Sequence, residues 1–154
     1  MKSTSNEIEN QIRNAFNCSA SLDSLRDAEY ADWNVNIIRR DIKSVKEYLP
    51  LLLIKELHSD NKTYLMGDHL VFFLKGDLNG KQSVDSDIPE ERRWSYDFIK
   101  NFHYFFDGIT PTQSVAILSW LKDYAYDRYH ETCKDDLMSA IQYWTDYAES
   151  KQNE

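Results

Sequence analysis

The sequence predicts an all-α protein, a single-domain irregular bundle of about six helices spanning residues 1–154. Three observations lead there. The 154 residues include 21 aromatic side chains but only 4 Gly and 3 Pro, too few for a turn-rich β-sandwich and too many rings for a disordered chain. Apolar residues recur at three- and four-residue spacing in most segments. No stretch offers a convincing set of partner strands. The length suits one domain with one core. The ordered part is expected over 5–149, with a loop at 76–90.

The elements follow in order. "SNEIENQIRNAFN" (5–17) reads as a helix capped by Ser5 or Asn6, with Glu7 and Glu9 near its positive end and Ile8, Ile12 and Phe16 on one face. The polar stretch after it has room for one helical turn around Ser24–Tyr30, and Trp33 reads as a packing anchor. "DIKSVKEYLPLLLIKEL" (41–57) contains Pro50, which lacks an N–H and clashes with the preceding turn. The economical reading is one helix ending near Tyr48 and a second, central and buried, starting at Pro50 and running to His58. Residues 63–75 suit a helix, although "HLVFFL" alone would also suit a strand.

Further on, "EERRWSYDFIKNFHYFFDGI" (90–109) places Trp94, Phe98, Phe102 and Phe105 on a helical stripe, read as core. "ITPTQSVAILSWLKDYAYDRY" opens with Thr110 as N-cap, Pro111 at the first helical position and Gln113 completing a capping box. Its buried face is expected to be Ile117, Trp120, Leu121 and Tyr124. The last helix is capped by Thr132 and turns Leu137, Ala140, Ile141, Trp144 and Ala148 inwards, antiparallel to the one before it. Residues 150–154 are expected to fray.

Charge narrows the function classes. The net charge is −8, and it is concentrated in the second half: residues 1–77 carry net −2 and residues 78–154 net −6. Such a surface disfavours nucleic acid and anionic membranes, which need clustered Lys and Arg. It favours encounter with a basic partner. No apolar run approaches the roughly 20 residues that cross a bilayer. The N-terminal segment lacks the apolar core of a secretory signal, so a cytoplasmic location is expected. Cys18 and Cys133 form no CxxC and read as two free thiols.

"KEYLPLLLIKEL" (46–57) and "GITPTQSVAILSWLKDYA" (108–125), with "AIQYW" (140–144), resemble a family of small bacterial proteins of unknown function. The residues that carry the resemblance are Ile12, Ala15 and Phe16; Tyr48, Leu49 and Pro50; Thr110, Pro111 and Gln113; and Tyr143 and Trp144. The chain departs from that pattern in "WSYDFIKNFHYFF" and in the loop before it. The resemblance implies a helical fold and assigns no reaction.

Recognisable catalytic signatures are missing: no GxGxxG, P-loop, HExxH, GxSxG or EF-hand loop. His58 and His69 flank a segment holding Asp60 and Asp68, but the spacing matches no metal site, so neither a metal nor another cofactor is expected. His103 reads as a partly buried ring. His130 and Cys133 stand three apart, as a Cys–His nucleophile pair would, yet lack an orienting group in the sequence. Paired acids such as Asp123 with Asp127 read as solvated.

One stretch stands out, "KDYAYDRYHETCKDD" (122–136). It interleaves tyrosines with acids, the composition of a surface that engages Lys and Arg. The candidate partner-binding residues are Asp123, Tyr126, Asp127, Tyr129, Glu131, Asp135 and Asp136. The expected function is therefore a non-enzymatic acidic binding module, in its sharpest form an immunity-type inhibitor of a basic bacterial toxin domain. An enzyme or accessory protein with an unrecognised site is the alternative.

Overall fold

The computed structural model describes residues 4–25, 42–58, 66–75, 108–127 and 134–152. These residues form five α-helices and one 3-10 turn, with no strand among them. The helices are α1 (Ser5–Phe16), α2 (Ile42–Leu57), α3 (Met66–Leu74), α4 (Pro111–Asp127) and α5 (Lys134–Gln152), with the 3-10 turn at Leu22–Ser24. The stretch 66–74 is thus helical. The aromatic segment 90–107, the loop 76–90, all but the first two residues of the turn expected around Ser24–Tyr30, Trp33 and Thr132 lie outside the described residues.

Helix α1 starts one residue earlier than its expected caps. Thr4, not Ser5 or Asn6, is the N-cap: its hydroxyl accepts from the Glu7 N–H at 3.1 Å, and the Glu7 carboxylate bonds back to the Thr4 N–H. Ser5 has Ile8 three residues on and cannot close a box, and Glu9, three residues after Asn6, is engaged by Arg13 and His58, which leaves the box to Thr4 and Glu7. Asn17 ends the helix in the left-handed conformation (φ 52°, ψ 46°), which a short polar side chain tolerates. Ile8 and Ile12 are buried and Phe16 is half-buried. After the Ser21-capped 3-10 turn, Leu25 is fully buried.

The proline reading is corrected. Pro50 does not start a helix; it sits inside α2, which runs unbroken from Ile42 to Leu57. The local penalty, about 3 kcal/mol for an interior proline, is real. It is outweighed because Leu49, Leu51, Leu52, Leu53, Ile54 and Leu57 are all buried, at about 1.5–3 kcal/mol each. Splitting the element would have unpaired several backbone groups to spare one. Tertiary burial wins. The expectation of a buried helix, apolar on nearly every side, holds for the stretch from Leu49 to Leu57.

The second half packs onto the first chiefly through α4 against α1 and α5 against α3, and reaches α2 through a ring. Thr110 caps α4 as expected, its N–H donating to Gln113 Oε1 at 3.0 Å and its hydroxyl accepting from the Gln113 N–H at 3.1 Å. Ile117, Trp120, Leu121 and Tyr124 are buried as expected, joined by Ala116. Trp120 donates its indole N–H to the Leu53 carbonyl at 2.9 Å, tying α4 to α2. In α5, Leu137, Ala140, Trp144 and Ala148 are buried and Ile141 is half-buried. Trp144 donates to the Leu74 carbonyl at 2.8 Å, tying α5 to the end of α3. Tyr147, late in α5, donates to the carbonyl of Ile109, just before α4, at 2.7 Å. That bond brings the late part of α5 to the start of α4, so the two packed helices run antiparallel. Where fraying was expected, α5 stays helical through Gln152.

One close approach fixes α3. The Tyr124 ring stacks on Trp120, with centroids 5.2 Å apart and planes 6° from parallel, and its hydroxyl donates to the Asp68 carboxylate. The hydroxyl-bearing edge of that ring lies against Gly67, where any Cβ would run into it. Two substitutions test these arguments in urea titrations. Gly67→Ala should lose about 2 kcal/mol, because a ring held by a stack and a hydrogen bond cannot retreat. Pro50→Ala should gain about 1–2 kcal/mol, roughly 3 for the restored helix less the burial of two ring carbons.

Candidate functional site

The described residues of the acid-and-tyrosine stretch fall near the end of α4 and in the first turn of α5. Tyr126 is 69% exposed, one residue before α4 ends. Asp127 is the last residue of that helix. Asp135 is exposed in the first turn of α5. Asp136, beside it, pairs with the Lys75 ammonium at 3.3 Å. Both acids stand at the positive end of the α5 dipole, which stabilises them there. Tyr129 and Glu131 lie outside the described residues.

Asp123 is a correction. It was read as solvated and as part of the patch, yet it is only 6% exposed. It follows Trp120 by three residues and Ala116 by seven, so it falls on the edge of the buried arc of α4 rather than on its polar side. An alternating acid and tyrosine pattern does not reveal how wide the buried arc is. Glu56 in α2 is a second buried acid, at 8% exposure.

The sequence candidates for chemistry are drawn to different places. His58 lies just past the end of α2, where its Nε2 meets Glu9 Oε1 at 2.5 Å. The other Glu9 oxygen accepts from Arg13 Nε at 2.7 Å, and Arg13 also donates to the carbonyls of Ala20 at 2.7 Å and Cys18 at 3.3 Å. This cluster ties α1, the turn after it and the end of α2. Asp68 holds Tyr124 instead. His58 and Asp68 therefore serve separate contacts. Asp60, His103, His130 and Cys133 lie outside the described residues, and Cys18 is a half-buried free thiol. Among the described residues, no three His, Cys, Asp or Glu side chains gather as a metal ion would require.

Two residues went unnoticed in the sequence. Met138, in the second turn of α5, is 62% exposed although its neighbour Leu137 is buried. Its place one position off the inward stripe was the available signal. Gly67 was the other, a glycine inside an apolar helical stretch. The "YW" pair proves to be packing: Tyr143 meets Trp144 edge-on, with ring centroids 5.1 Å apart, and burial, then the neighbouring Tyr147, push the Tyr143 phenol above its usual range. No helix in the described residues is long and apolar enough to cross a membrane.

No family model, curated protein or solved structure matches the chain. The resemblance drawn from the "YLP", "TPxQ" and "YW" segments rests on those residues alone.

The Glu9 cluster has a pH signature. The Arg13 guanidinium, opposed by partial burial and reinforced by His58, holds the Glu9 carboxyl below its ordinary value of 4.5. A carboxyl depressed on folding contributes stability that is present above that value and is lost as pH falls through the folded one. Glu9→Gln should therefore be less stable than the parent at neutral pH. In urea titrations the gap should narrow as the pH falls below 4.5. A gap that stays constant with pH would show that the ionised carboxylate contributes nothing.

Proposed function

We propose that the protein is a non-enzymatic, acidic protein-binding module that acts in the cytoplasm, folded as one irregular bundle of about six helices. In its most specific form it is an immunity-type inhibitor that neutralises a basic bacterial toxin domain. The contact residues are Tyr126 and Asp127 near the end of α4, Asp135 and Asp136 in the first turn of α5, and Tyr129 and Glu131 from the sequence between them. Nucleic acid and membranes are not its partners on this reading, and no metal or cofactor takes part.

One observation carries the proposal. Tyr126 is 69% exposed, whereas the other described tyrosines, Tyr48, Tyr124, Tyr143 and Tyr147, are buried or half-buried. A tyrosine facing water in an acidic stretch of sequence is the kind of ring that anchors an interface at low entropic cost. The net charge of −8 supports it by attracting a basic partner over distance. Asp136 leans on Lys75 in a partly exposed pair, which a stronger cation can displace because such pairs contribute little on their own.

The test begins with the gene neighbourhood, which should hold a larger toxin-like protein with a basic C-terminal domain. That domain should bind this protein with nanomolar affinity. Asp127→Lys combined with Glu131→Lys should slow association about tenfold or more at low salt and much less at high salt. Association rates that match the parent at both salt concentrations would remove this surface from consideration.

A further inference from the structure

We draw no further inference here: the strongest candidate, the Glu9–Arg13–His58 side-chain cluster where α1 meets the end of α2, makes its contacts within itself and with the main-chain carbonyls of Cys18 and Ala20, and so restates the packing and the pH dependence already described.

Discussion

Two indole N–H groups organise this molecule. Trp120 and Trp144 are both withdrawn completely from water, and a buried donor left unpaired would cost about 1–3 kcal/mol. Each finds a main-chain carbonyl on another helix, Leu53 for Trp120 and Leu74 for Trp144. These bonds fix more than two contacts. The Leu74 carbonyl belongs to the last turn of α3, where no following residue of the helix can supply its partner. The indole thus finishes α3 while it anchors α5. With Trp120 placed against α2, Tyr124 can stack on it and reach Asp68, and the approach to Gly67 follows.

The same device recurs at smaller scale. Tyr147 satisfies the Ile109 carbonyl ahead of α4, Lys55 reaches the Leu25 carbonyl at 3.2 Å, and Arg13 serves the carbonyls of Cys18 and Ala20. Most of the acceptors are main-chain groups at the ends of elements or between them. Long side chains from elsewhere in the fold complete them, so element ends depend on tertiary contacts. Helix α2 shows the converse. Its proline removes a bond within the element, and the burial of six neighbouring aliphatic side chains keeps the helix continuous.

Acidity is divided between interior and surface in a way that composition hides. Asp123 and Glu56 are buried, Glu9 and Asp136 hold cations, and Asp135 remains open to water. The net charge of −8 is therefore not a uniform shell.

Local chemistry was legible wherever one residue type at one spacing decides the outcome. The Thr110–Gln113 capping box, the buried faces of α4 and α5 and the helical character of most segments follow from the chain alone, because caps and periodicity involve residues within a few positions of each other. Tyr126 and Asp135 were also legible as candidate surface groups. The continuity of α2 through Pro50 was not, because it depends on how much apolar area distant helices cover, a quantity no local rule contains. The burial of Asp123 escaped for the same reason: its spacing sets an angle on α4, and only the neighbouring elements decide how wide an arc they cover. Sequence determined that the elements are helices and how α4 begins; the packed structure decided that α2 runs through its proline and which side of each helix faces water, since burial is a property of the assembled surfaces.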